Sequence, residues 1–158
     1  MQFRDLQRQY EILKDDIDRS VKSVCSSAHY ISGPEVSELE KQLAEYIGVK
    51  HCITCGNGTD ALTLAIRTWG LGKDDAVFVP DFTFFSSGEC PSGEGCTCVF
   101  VDVDPRTFNM NPDKLEEAIV RVETDGIVKP KAVVAVDLFG QPAELVKIKD
   151  ICRKYNLL

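Results

Sequence analysis

Gly56-Asn57-Gly58-Thr59-Asp60-Ala61 is the stretch of this chain best suited to holding an anion. A helix that starts there presents unpaired backbone N–H groups and the positive end of its dipole. Gly58 leaves the backbone open to close approach, and Thr59 adds a hydroxyl. Phosphate binding is the functional reading of such a turn. The competing reading is a turn capped by Thr59 or Asp60 that needs no ligand.

Two cofactor classes use a phosphate-holding turn of this kind. Gly56-x-Gly58-x-x-Ala61 satisfies the dinucleotide fingerprint, and Asp81 follows about 20 residues on, where a ribose-binding acid belongs. That points to a dinucleotide-dependent oxidoreductase. A long helical stretch ahead of the first strand, and Pro80 just before Asp81, weaken it. The other class is a pyridoxal phosphate enzyme. It requires a phosphate cup, an aromatic ring against the pyridine, an acid opposite the ring nitrogen and a Schiff-base lysine. Gly58, Thr59 and Asp60 offer the cup. Phe84, in Asp81-Phe-Thr-Phe-Phe-Ser-Ser87 just past a strand end, offers the ring. Taken singly, each phenylalanine suits a core position equally well. The chain holds no G-x-x-x-x-G-K-S/T, so a P-loop nucleotidase is excluded.

The cysteines suggest a third possibility. Cys52-x-x-Cys55 with Cys90, Cys96 and Cys98 sketches a non-catalytic zinc-binding module. The second group is spaced C-x5-C-x-C rather than C-x-x-C, and Cys52 and Cys55 would point to opposite faces of a strand. Buried or incidental thiols are the expectation, with no metal. Asp102-Val-Asp104 opens like a calcium loop, but Arg106 occupies the fifth position and the sixth-position glycine is missing. His29 and His51 have no partner motif and read as structural or surface residues.

These residues need elements to place them. Phe3, Leu6, Tyr10, Leu13, Ile17, Val21 and Val24 form one helical stripe, expected to pack as core within the chain, with a second subunit as the other option. Ser32-Gly33-Pro34 breaks the pattern and starts a helix with Val36, Leu39, Leu43, Tyr46 and Ile47 on its apolar face, ended by Gly48. Strands are predicted at His51–Cys55, Ala76–Val79, Thr97–Val101 and Ala132–Val136. Helices are predicted at Asp60–Trp69 (Ala61, Leu62, Ala65, Ile66 and Trp69 inward), Thr83–Glu89, from Asn111 or Pro112 (Leu115, Ala118, Ile119 and Val122 inward), and at Ala143–Tyr155. Cys90–Gly95 is predicted as a loop. The alternation gives an α/β fold with a mainly parallel sheet. Asn156 caps the last helix, and Leu157-Leu158 read as the start of another strand. The expectation is therefore an incomplete N-terminal part of a longer chain, marginally stable or self-associating when alone.

Composition sets the outer limits. The 158 residues are 44% apolar and 27% charged, with 18 Lys+Arg against 25 Asp+Glu. A formal charge of −7 argues against a nucleic-acid partner. No apolar run reaches the ~18 residues of a membrane span, so no membrane partner is expected. Seven cysteines and a charged N-terminus lacking an apolar stretch point to a reducing cytoplasm.

Five blocks, in order, carry a family resemblance: YISGPEVSELEKQLAEYIGVKHC, GNGTDAL, VPDFTFFSSGE, VFVDVDPRTFNMNPDKLEEAI and AVDLFGQPAEL. From about Gln2 to Leu158 the chain resembles the N-terminal part of the DegT/DnrJ/StrS sugar-nucleotide aminotransferases. The resemblance implies the large domain of a PLP-dependent transferase, divided here into a helical segment 1–33 and a partial cofactor-binding domain 34–158. It implies pyridoxal 5'-phosphate as cofactor, a nucleotide-sugar substrate, an amino-acid donor (usually glutamate) and a homodimer. Gly58, Thr59 and Asp60 match the family's phosphate turn, Thr59 through its hydroxyl and Asp60 mainly through its N–H. Phe84 matches the ring-stacking aromatic. Asp137-Leu-Phe-Gly140 matches a strand end near the cofactor, with no role assigned. The family's pyridinium aspartate and Schiff-base lysine fall beyond Leu158. These 158 residues alone are therefore expected to be inactive, and no catalytic residue is nominated.

Overall fold

The structure, a computed structural model, describes residues 4–158. They form six helices and three strands in two compact units, one reaching to Thr54 and one spanning Cys55–Leu158. The expected break at Gly33-Pro34 falls inside the first unit, between its two helices. No helix among the described residues is long and apolar enough to cross a membrane.

The first unit consists of α1 (Leu6–Ser27) and α2 (Pro34–Ile47). Asp5 caps α1 by accepting the Arg8 amide at 2.9 Å, and Gly48 ends α2 in the left-handed region at φ 78°. The stripe expected as core is not buried. Leu6, Leu13, Ile17 and Val21 are exposed, and α1 has no buried residue. Phe3 lies outside the described residues. On α2 only Ala44 is buried, while Leu39, Leu43, Tyr46 and Ile47 are exposed. Periodicity shows which face of a helix is apolar, but not whether anything covers it.

His51–Cys55, predicted as a strand, makes no ladder. The backbone pairing that turns extended chain into a strand is missing there. Instead the Thr54 N–H and hydroxyl both donate to Glu40 Oε1, at 2.8 and 2.9 Å. These bonds, the backbone one first, hold the Glu40 carboxyl below its ordinary range.

The second unit is α/β. Strands β1 (Asp75–Pro80), β2 (Thr97–Val101) and β3 (Lys129–Val133) form a parallel sheet in the order β2-β1-β3. β1 lies in the middle, with Phe78 opposite Val99 on one side and Val133 on the other. Ala76, Val77, Phe78 and Val79 are fully buried, and they alternate between two cores as a period of two demands. Ala76 and Phe78 pack with Met110, Leu115, Ile119 and Ile148 beneath α5 (Pro112–Asp125) and α6 (Leu145–Tyr155). Val77 and Val79 pack with Ile66, Cys90, Cys96 and Ala132 beneath α3 (Gly58–Thr68) and α4 (Ser86–Gly93). The Leu158 N–H donates to Lys131 O at 2.9 Å, and Leu158 O accepts from Val133 N at 3.0 Å. The chain therefore runs beside β3 at that residue, as a further parallel neighbour would.

Other sequence-based expectations shift. The last strand lies at Lys129–Val133 rather than Ala132–Val136, because its register against β1 slips between Ala76 and Val77 and draws Lys129 and Pro130 into the ladder. α4 begins at Ser86, and it continues through Cys90 and Pro91 to Gly93 where a loop was expected. Proline's fixed φ suits a helix, and both residues are buried, so packing offsets the one missing N–H. On α3 only Ile66 of the expected inward face is buried; Ala61 and Trp69 are exposed.

Candidate functional site

Asn57, with extended backbone, is the N-cap of α3, and its Oδ1 accepts the Asp60 N–H at 2.9 Å. Its Nδ2 donates to Asp60 Oδ2 at 3.1 Å. Ala61 N starts the helical ladder on Asn57 O. The N–H groups of Gly58 and Thr59 make no hydrogen bond among the described residues and remain free at the positive end of the helix. In this structure Asn57 Oδ1 accepts the Asp60 N–H that the resemblance assigns to the phosphate. Sequence reasoning placed the cap on Thr59 or Asp60. Asparagine's strong N-cap preference was the signal that would have found Asn57.

The two glycines of the turn differ. A Cβ on Gly56 would sit 2.8 Å from Asp60 Oδ2, whereas a Cβ on Gly58 would meet nothing within 4 Å. Gly58 also has no positive φ. No internal contact or backbone conformation calls for glycine at 58, and the position a Cβ would take there is open. Such a cradle fits a phosphate group.

The Thr59 hydroxyl lies 2.9 Å from the Ser86 hydroxyl, and Cys90 Sγ donates to Thr59 O at 3.4 Å. Ser86 is buried at the start of α4 and has no signature in the sequence; its partner is 27 residues away. Thr83 Oγ1 pairs with Ser87 Oγ at 3.0 Å, which ties the loop carrying Phe84 to the same helix. At the other ends of these helices Arg67 Nε donates to Glu94 Oε1 at 2.8 Å. α3 and α4 are thus joined near both ends, the turn at Gly58 standing beside the start of α4.

Phe84 is 71% exposed. It lines an open groove of about 500 Å3 with Pro80, Asp81, Phe85, Gly88 and Phe100. Gly58, Thr59 and Asp60 do not line that groove. The turn and the ring therefore do not share one enclosed hollow; the Thr59–Ser86 hydrogen bond connects the elements that bear them. Asp81 also borders the groove. Desolvation, followed by hydrogen bonding to and repulsion from Asp102, pushes its carboxyl above the ordinary range, although the residue overall is exposed.

The sequence profile described as the DegT/DnrJ/EryC1/StrS aminotransferase family matches residues 11–158. The chain belongs to this family. A UDP-2-acetamido-2-deoxy-3-oxo-D-glucuronate aminotransferase from Pseudomonas aeruginosa is 41% identical over 157 residues, 99% of this chain and 42% of that protein. A crystal structure of a DegT DnrJ EryC1 StrS aminotransferase from Brucella abortus superposes with a TM-score of 0.97 at 44% identity, again covering 99% of this chain and 42% of that one. NtdA from Bacillus subtilis, solved with bound cofactor PMP, gives a TM-score of 0.82 at 29% identity over 90% of this chain and 31% of that one. The chain thus spans about two-fifths of the first two relatives.

Family membership does not favour the oxidoreductase and zinc readings. Cys90 and Cys96 are buried in the core beneath α3 and α4, and the Cys98 thiol donates to Gly88 O at 3.1 Å. Among the described residues, no three His, Cys, Asp or Glu side chains are grouped to hold a metal. The Asp104 carboxylate is engaged by the N–H groups of Arg106 and Thr107, which hold it below the ordinary range, Arg106 first. Asp137 Oδ1 accepts the Ala143 N–H at 2.8 Å, so that aspartate shapes the turn into α6.

Proposed function

We propose that the full-length protein is a pyridoxal-phosphate-dependent aminotransferase that moves an amino group from an amino acid, glutamate by family resemblance, to a keto sugar linked to a nucleotide. It works as a homodimer in the cytoplasm. When bound, the cofactor supplies the electron sink that lets an amino group be detached from one carbon and attached to another. In this chain the Gly58 and Thr59 N–H groups and the Thr59 hydroxyl bind the phosphate. Ser86 orients that hydroxyl, and Asn57 holds the turn through Asp60. Phe84 covers one face of the cofactor ring. The acid opposite the ring nitrogen and the lysine belong to the part of the relatives that this chain does not span.

The observation that supports this reading is the pair of unpaired amides at Gly58 and Thr59, where a Cβ on Gly58 would meet nothing within 4 Å. The test is spectroscopic. Full-length protein mixed with pyridoxal phosphate develops the visible absorbance of the bound cofactor, glutamate discharges it, and a nucleotide-linked keto sugar restores it. Absence of a bound-cofactor band rules the reading out.

A further inference from the structure

Two hydroxyl pairs lie at the start of α4, and each involves a buried serine. Ser86 is 6% exposed and Ser87 5%. Ser87 Oγ pairs with Thr83 Oγ1 at 3.0 Å, within its own loop and helix. Ser86 Oγ instead reaches across to Thr59 Oγ1 on α3, at 2.9 Å. Only this second pair touches the helix start that carries the free N–H groups. Thr59 is held to α4 by its main chain as well, since Cys90 Sγ donates to Thr59 O at 3.4 Å.

A hydroxyl has one proton to give and two lone pairs with which to receive. Elsewhere in the chain, threonine protons go one turn back along the helix. Thr68 donates to Leu64 O and Thr124 to Val120 O, both at 2.7 Å. Ser86 is the first residue of α4 and Thr59 the second of α3, so neither has a helical carbonyl one turn behind it. Ser86 makes no other side-chain hydrogen bond among the described residues. The two partners are also buried unequally, because Thr59 is only half-buried. If Thr59 gave its proton to Ser86, the Ser86 proton would be buried without an acceptor, an arrangement folded proteins avoid. If Ser86 gives, its proton is used, and the Thr59 proton is left for whatever occupies the turn.

We infer that Ser86 is a positioning residue that sets the polarity of Thr59: it donates to Thr59 Oγ1 and so commits the Thr59 proton to the anion. This rests on the function proposed above. The relay runs one way, from Ser86 to Thr59 to phosphate, and each member of such a chain polarises the next. The turn gains a third donor beside the Gly58 and Thr59 N–H groups. Ser86 therefore acts on recognition of the phosphate and not of the ring, without touching the cofactor.

The test uses the full-length protein and two ligands, pyridoxal phosphate and pyridoxal, which share the ring and differ in the phosphate. Both are titrated by absorbance. Ser86→Ala weakens pyridoxal phosphate about 3- to 10-fold, the scale of one hydrogen bond, and leaves pyridoxal unchanged. Thr59→Val weakens pyridoxal phosphate at least as much, and adding Ser86→Ala to it causes no further loss, because the relay is already cut. Ser87→Ala, equally buried but paired with Thr83, keeps the wild-type ratio of the two affinities. Where Ser86→Ala fails to fold, Ser86→Cys, close in size and a weak donor, is read in its place. A Ser86→Ala protein that binds pyridoxal phosphate as the wild type does, that loses both ligands alike, or whose loss persists in full beside Thr59→Val overturns the inference and leaves the function standing. A wild-type protein that binds neither ligand overturns the function, and the inference falls with it.

Discussion

Two helices of the second unit begin alike and end up chemically different. α3 and α5 each start from an extended asparagine, and each carries an aspartate in its first turn. At α5, Asn111 Oδ1 accepts from both Asp113 N and Lys114 N, at 2.9 and 3.3 Å, and Pro112 at the first position has no N–H. Every early donor of α5 is absent or used. At α3, Asn57 takes only the Asp60 N–H, and glycine stands where α5 has proline. The same cap residue closes one helix and leaves two donors open on the other. A helix N-terminus is thus an anion site only when its own cap leaves it so.

The comparison can be broken most severely at Gly58. Gly58→Val fills the open space, and pyridoxal phosphate affinity of the full-length protein should fall by about 10- to 100-fold, the range expected for one charge-assisted hydrogen bond. The melting temperature of the cofactor-free protein should hardly change. Equal losses in folding and binding would mean that Gly58 serves the fold. Removing the caps should produce the reverse. Asn111→Ala should cost about 1–2 kcal/mol in urea unfolding, and Asn57→Ala, which frees a single N–H, nearer about 0.5–1 kcal/mol. Asn57→Ala should also lower cofactor affinity modestly, because the turn is no longer held through Asp60. A larger cost at Asn57 than at Asn111 would invert the comparison.

A gentler probe is hydrogen exchange with inorganic phosphate. Phosphate should slow exchange at Gly58 and Thr59 while leaving Asp113 and Lys114 as they were. Protection at both helix starts would show that the difference in caps does not govern anion binding.

The smallest effect is expected at the strand ends between the two helices. The Asp81 carboxyl is raised in the folded protein by desolvation and by Asp102. Its charged form therefore opposes folding above its native pKa, and the opposition disappears below its unfolded value. Asp81→Asn should stabilise the protein slightly at neutral pH, with the gain fading as the medium is acidified through the carboxylate range. A gain independent of pH would exclude the Asp102 pairing as its source.

Much of this was legible in the residues themselves. The α5 cap, its buried Leu115, Ile119 and Val122, and the bounds of β2 follow from local rules. So does the start of a helix within Gly58–Asp60. What escaped depends on partners distant in sequence. Ser86 matters through Thr59, 27 positions earlier. His51–Cys55 has strand composition but no ladder neighbour, and α4 passes through Pro91 because its surroundings bury it. Phe82, Phe108 and Phe139 meet from three loops, although read singly they look like ordinary core phenylalanines. Asp60 is the instructive case. The helix start is legible in the pattern, but the competition for one N–H within it depends on the Asn57 side-chain geometry.

The unequal surroundings of Gly56 and Gly58 would register in a mutational survey scored twice, once for the amount of folded protein recovered and once for turnover. Alanine at 56 pushes the Asp60 carboxylate off the Asn57 amide, so a modest deficit should enter both scores. Alanine at 58 disturbs nothing inside the molecule and should lose turnover at undiminished yield. Two identical letters, one residue apart, would then fall under different selective pressures.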